Sequence, residues 1–161
     1  MLGICLMVSF LSYSAQPEEQ QQIKNFNQLT ASFASAGLPT NEQLTALKKS
    51  GFQHIINLIP GDYSYEQKHA EALEMTFDQI EVDWHNPTLQ DFKDFSSLMT
   101  KYSDEKVLVH CKLNYRASAF AYLYQVKHQG ADKQTAEQDM LSIWAPDPTW
   151  TAFIANMLSE Q

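Results

Sequence analysis

Val107-Leu108-Val109-His110-Cys111-Lys112-Leu113-Asn114-Tyr115-Arg116-Ala117-Ser118 joins an apolar run to a polar loop and then to a long helical pattern. The run reads as a buried strand, Lys106–His110. The residues after Arg116 read as a helix ending at Gly130, with Ala119, Tyr122, Leu123 and Val126 on its stripe. That helix is apolar nearly all round, which predicts that it lies inside the fold. A cysteine closing a buried strand, an arginine in the same loop and a helix starting there describe an anion cradle with a nucleophile at its base. The amide hydrogens of such a loop converge, and the helix N-terminus adds partial positive charge. Both favour the thiolate form of Cys111, which is the reactive form. Arg116 supplies a planar fork of donors matched to two oxygens of one phosphate or sulfate.

Working outward, the chain alternates strand and helix. A strand is expected around Leu29–Ala34. Thr40-Asn41-Glu42-Gln43 is a capping-box pattern, with Leu44 and Leu47 behind it and Gly51 as the stop. His54–Ile59 reads as a buried strand closed by Pro60-Gly61, and Tyr65–Met75 as a helix. Phe77–Val82 is the next strand and runs into the loop Asp83-Trp84-His85-Asn86-Pro87. Thr88 caps a helix with Asp91 at the reciprocal position, and Leu89, Phe92, Phe95, Met99 and Tyr102 share its inner face. Helices at Asp132–Ile143 and Thr149–Leu158 follow the central unit. This order predicts an α/β fold with a mostly parallel central sheet flanked by helices on both faces. Such sheets bind ligands at the carboxyl ends of their strands, where Asp62, Asp83 and Cys111 all fall.

The 161 residues, 44% hydrophobic and 12% aromatic, suit one globular domain over residues 16–161. A net charge of −8 argues against nucleic-acid partners and against stable attachment to anionic membranes. Residues 1–15 read as a signal peptide. Leu2–Leu11 is apolar but too short to span a bilayer, and small residues at Ser12, Ser14 and Ala15 precede a polar turn, although no Lys or Arg stands before the run. This places the mature chain in the periplasm of a bacterium or outside the cell. Cleavage there removes Cys5 and leaves Cys111 as the single thiol, which excludes an internal disulfide.

Displacement at phosphorus needs a nucleophile, charge stabilisation and an acid for the leaving oxygen. Cys111 takes the first role, the alternative being a buried inert cysteine. Arg116 takes the second, since an arginine at a helix start is electrostatically misplaced without an anion. Asn114 stands where the loop needs φ > 0, a conformation Asn tolerates better than most residues. Lys112 either adds charge to the pocket or is a solvated loop lysine. Ser118 either donates to the thiolate or helps to cap the helix, and His110 steadies the loop through backbone hydrogen bonding. Asp83 is the candidate acid, with an ordinary turn aspartate as the alternative and with Asp62 and His85 in reserve. Tyr63, Tyr65, Trp84 and Tyr115 either line a pocket for an aryl phosphate or belong to the core. The histidines at 54, 69, 85, 110 and 128 lack ligand spacing, so no metal or other cofactor is expected.

Strand, His-Cys, loop, Arg and helix together resemble the cysteine-dependent protein tyrosine and dual-specificity phosphatase superfamily. The order Gly37-Leu38-Pro39-Thr40, Gly51-Phe52, Ile55-Ile56-Asn57-Leu58 and Val82-Asp83-Trp84 is most similar to the small bacterial phosphatase-like family associated with β-lactamase-hydrolase-like proteins. The similarity runs from Phe33 to Ile143. It implies a phosphatase that works through a phosphocysteine on Cys111, with residues Lys112, Leu113, Asn114, Tyr115 and Arg116 binding phosphate and Asp83 as acid. The implied substrate is a phosphorylated small molecule or a phosphoprotein. One departure stands out: four residues separate Cys111 from Arg116, one fewer than usual in tyrosine phosphatases, and Ala117 precedes Ser118. That gap also occurs in rhodanese sulfurtransferases, so a rhodanese-like sulfurtransferase and a non-catalytic phosphate-ligand binding module stay beside the phosphatase reading.

Overall fold

The structure, a computed structural model, describes residues 22–159. The signal-peptide expectation and Cys5 lie outside the described residues. Five strands form one sheet in the order β1 (Asn27–Gln28), β2 (Phe33–Ala36), β5 (Lys106–His110), β3 (Phe52–Asn57), β4 (Thr76–Gln79). The β1–β2 pair is antiparallel and the other three pairings are parallel. The described residues form six helices: α1 (Asn41–Lys49), α2 (Ser64–Ala72), α3 (Leu89–Lys101), α4 (Tyr115–His128), α5 (Lys133–Leu141) and α6 (Pro148–Ser159).

Side chains alternate across β5, and this alternation divides the core. Val107 and Val109 face a large layer built with Phe92, Phe95, Phe120 and Trp150 from α3, α4 and α6. Leu108 faces a smaller layer built with Leu44 and Leu47 of α1 and Ala70 of α2. Residues 117–125 of α4 are all buried, because the helix lies between the sheet and the outer helices α5 and α6. An amphipathic stripe would leave one face wet; this helix has none to leave.

Both capping boxes form: Thr40 with Gln43 at the start of α1, and Thr88 with Asp91 at the start of α3. The strand bounds shift for local reasons. Leu29 and Thr30 both donate to the Phe33 carbonyl, so these residues turn and β2 begins at Phe33. Asn57 Oδ1 accepts from the Ile59 N–H at 2.7 Å and bends the chain out of β3 two residues before Pro60. Helix α2 stops at Ala72 because Glu74 enters the left-handed region at φ 56° and the Met75 N–H returns to the Ala70 carbonyl.

Candidate active site

The parallel strands end on one side of the sheet, and Cys111 is the first residue past β5. Its N–H is spent on the Ala36 carbonyl of β2 at 3.2 Å, which seats the cysteine between two strands. Only 1% of Cys111 is exposed. The loop that follows is held from outside. The Lys112 carbonyl accepts from the Leu38 N–H at 3.3 Å, and the Leu113 carbonyl accepts from Asn25 Nδ2 at 2.9 Å. Across a planar peptide the N–H opposes the C=O, so fixing the Lys112 carbonyl outward aims the Leu113 N–H at the cysteine side.

Asn114 completes the turn with φ 67° and ψ 10°, as its position in the sequence predicts. Its side chain does not cap α4. Instead Nδ2 donates to the Asn25 carbonyl at 2.7 Å and to Ser35 Oγ at 3.1 Å. Asn114 thus holds the Asn25 backbone while the Asn25 side chain holds the Leu113 carbonyl, and the first turn of α4 receives no side-chain cap. Its leading N–H groups are donors in need of an acceptor, and the macrodipole places positive charge beside them. Gly37 lets this wall close. A Cβ there would stand 2.9 Å from the Lys24 carbonyl and 3.1 Å from the Lys112 carbonyl.

A cavity of about 260 Å³ opens here, lined by Trp84, Cys111, Lys112, Leu113, Tyr115 and Arg116. Arg116 rests over the Trp84 ring, its Cζ 5.3 Å from the centroid, and its buried Nε has no hydrogen-bond partner. A guanidinium spread on an aromatic face beside unfilled amides is poised for an oxyanion. Trp84 is itself fixed by Trp144 at 5.5 Å and Trp150 at 5.4 Å, and its carbonyl accepts from Trp150 Nε1. Tyr115 stacks on Trp144 at 4.9 Å. A larger groove of about 930 Å³, lined by Leu89, Phe92, Lys93, Val126 and Leu158 among others, shares no lining residue with this loop and has no cysteine in its wall.

The remaining expected site residues fall into different places. Lys112 is exposed and lines the cavity. Ser118 Oγ donates to the Tyr115 carbonyl at 3.0 Å and accepts from Trp144 Nε1 at 3.1 Å, so it ties the helix to the tryptophan cluster rather than capping α4. Asp83 is exposed and takes the turn geometry: its Oδ1 accepts from the His85 N–H at 2.8 Å, one residue before the cavity-lining Trp84. Asp62 starts α2 by accepting from Ser64, and that N–H holds its carboxyl below the usual carboxylate range. Of the four aromatics, Trp84 and Tyr115 line the cavity, while Tyr63 and Tyr65 pack against each other at 5.8 Å.

His110 departs from expectation. Its carbonyl does accept from the Leu58 N–H, but its fully buried ring faces a carboxylate, Glu66, with Nε2 2.9 Å from Oε1. Glu66 was not among the expected site residues. Its signal was the face it shares with Ala70, four residues on, a buried position in a short helix. A charged residue in such a stripe marks an internal partner.

A mostly parallel sheet, an internal helix and a cysteine loop closed by an arginine at that helix's start define the fold of the cysteine-based tyrosine and dual-specificity phosphatases. Comparison with solved structures bears this out. A DUF442 protein from Shewanella putrefaciens CN-32 is 35% identical with a TM-score of 0.80, over 90% of this chain and 98% of its own. The chain belongs to this DUF442 family. Pseudomonas aeruginosa TpbA shares the fold at 17% identity and TM-score 0.69, over 89% of this chain and 88% of its own. So does the core catalytic domain of the PP-IP phosphatase SIW14 from Saccharomyces cerevisiae, at 14% and 0.72, over 83% and 85%. No protein-family model and no curated protein matches the chain.

Proposed function

We propose that the protein is a metal-independent phosphatase that hydrolyses phosphomonoesters through a phosphocysteine on Cys111. One observation carries this reading: the thiol and the Arg116 guanidinium, whose buried Nε has no hydrogen-bond partner, share one small cavity at an uncapped helix start. The Cys111 thiolate attacks phosphorus and displaces the ester oxygen. Arg116 and the loop amides hold the equatorial oxygens, on which negative charge is concentrated. Asp83 protonates the leaving oxygen, exchanging the His85 N–H for substrate as it does so. Water, handing a proton back to the Asp83 carboxylate, then attacks the phosphocysteine, and phosphate leaves with the thiolate restored. The substrate is a phosphorylated small molecule or a phosphoprotein, met in the periplasm or outside the cell.

Hydrolysis of an aryl phosphate in the presence of chelator tests this. Cys111→Ser is expected to abolish turnover, and rapid acid quench is expected to trap one phosphoryl group on the Cys111 peptide. Turnover that survives the substitution sinks the covalent route. Asp83→Asn is expected to slow esters with poor leaving groups far more than activated ones, and equal effects remove Asp83 from the acid role. The shorter Cys-to-Arg loop favours a second reading, sulfurtransfer, which needs no acid. Thiosulfate treatment then adds one sulfur to Cys111, readable by mass.

A further inference from the structure

Among the described residues one carboxylate is fully buried, and the chemistry above does not use it. Glu66 is 1% exposed. It is the third residue of α2, where the helix N-terminus favours an anion. Its Oε2 accepts from Asn57 Nδ2 at 3.0 Å, and its Oε1 lies 2.9 Å from His110 Nε2. The second approach is close but not aligned as a hydrogen bond. Asn57 and His110 are register partners at the ends of β3 and β5. One carboxylate therefore knots the two central strands where Cys111 begins.

Such a knot is costly to keep. Desolvating a carboxylate costs several kcal/mol, and an apolar side chain often fills the same space at no loss of stability. The titratable and charged groups around the pair are Tyr63 and Tyr65 at the start of α2, and Cys111 and Arg116 at the site. Burial pushes the Tyr63 phenol up, Glu66 adds to this, Arg116 pulls it down and Cys111 adds a smaller push. Burial and then Glu66 push Tyr65 up as well. One phenol thus senses both the buried carboxylate and the groups of the cysteine loop.

We propose that Glu66 is a positioning residue for Cys111, acting through His110. As an ion pair, the His110 ring carries positive charge into the residue before the nucleophile, and the pair shows no net negative charge to an arriving phosphate. The carboxylate also fixes the ring, and with it the strand end from which Cys111 springs. This rests on Cys111 being the nucleophile.

The test is alkylation of Cys111 by iodoacetamide in the full chain, followed peptide by peptide by mass spectrometry from acidic to mildly alkaline pH. Glu66→Gln keeps the volume and the Asn57 contact but removes the charge. Its rising limb is expected to move to higher pH by about one unit, seen as about tenfold slower alkylation at the acidic end. Glu66→Asp keeps the charge and is expected to stay close to the unaltered protein. An unchanged profile in a Glu66→Gln protein of normal melting temperature overturns the proposal. So does a limb moved to lower pH, which marks a buried pair of net negative charge. Should Glu66→Gln fail to fold, nitrogen NMR of the unaltered protein decides: both His110 ring nitrogens are expected to be protonated near neutrality, and a bare one overturns the ion pair. Alkylation needs no ester hydrolysis. A protein that alkylates as expected yet cleaves no phosphate ester overturns the phosphatase reading and leaves this one standing.

Discussion

Asn114 offers a graded test of how the loop from Cys111 to Arg116 is built. It is fully buried, sits at φ 67° and donates two side-chain hydrogen bonds, to the Asn25 carbonyl and to Ser35 Oγ. Losing them costs about 1 kcal/mol each, because folding trades them against water. Alanine also suffers in the left-handed region, by about 1 kcal/mol. Asn114→Ala is therefore expected to destabilise by about 3 kcal/mol, a large share of a typical total stability of 5–15 kcal/mol. Asn114→Gly loses the same two bonds but adopts the turn freely, so about 2 kcal/mol is expected. In urea unfolding the two variants should differ in midpoint by about half a molar, for a slope of about 2 kcal/mol per molar. Phosphate protection of Cys111 against alkylation gives the second readout: the glycine variant keeps the loop's course and its protection, and the alanine variant loses most of it. Alanine matching glycine in both assays would refute the backbone argument. Glycine matching the unaltered protein in stability would refute the value placed on the asparagine bonds.

Two further outcomes follow from the same geometry. Trp84→Ala removes the ring beneath Arg116, a contact worth about 1 kcal/mol, so phosphate protection of Cys111 should weaken about fivefold, and Trp84→Phe should recover part of it. Affinity unchanged in Trp84→Ala would mean that the ring only fills space. Asp62 is held below the usual carboxylate range by the Ser64 N–H, so its support of the α2 start is present above that range and is lost as pH falls through its lowered value. The stability gap between the unaltered protein and Asp62→Asn should close on acidification in urea titrations. A gap constant with pH would break the link.

The sequence made the fold and half the site readable, and the division has a physical basis. Lys106–His110 matches β5 residue for residue, because a short apolar run between polar ends has one stable reading beside a nucleophile loop. The capping boxes were equally legible, since they depend only on residues three apart. Strand ends were less so: β3 ends where the Asn57 side chain takes the Ile59 N–H, a contact that composition does not announce. Cys111, Arg116 and Asn114 could be gathered into one loop from the sequence because loop, charge and turn chemistry are local. Glu66 was missed because its partner lies 44 residues on, brought near only by the β3–β5 register. Ser118 was misread for the same reason, its partner being Trp144.

The wall behind the loop from Cys111 to Arg116 has a practical consequence. Its supports come from Lys24 and Asn25, ahead of the first strand: the Gly37 N–H donates to the Lys24 carbonyl at 2.7 Å, and Asn25 bonds the loop in both directions. A shortened protein beginning at β2 would keep four of the five strands and the whole tryptophan cluster, yet its loop would lose these fastenings. Any tag, protease site or fusion joint is best placed well upstream of Lys24, since Lys24 and Asn25 are stitched to the cysteine loop and its wall.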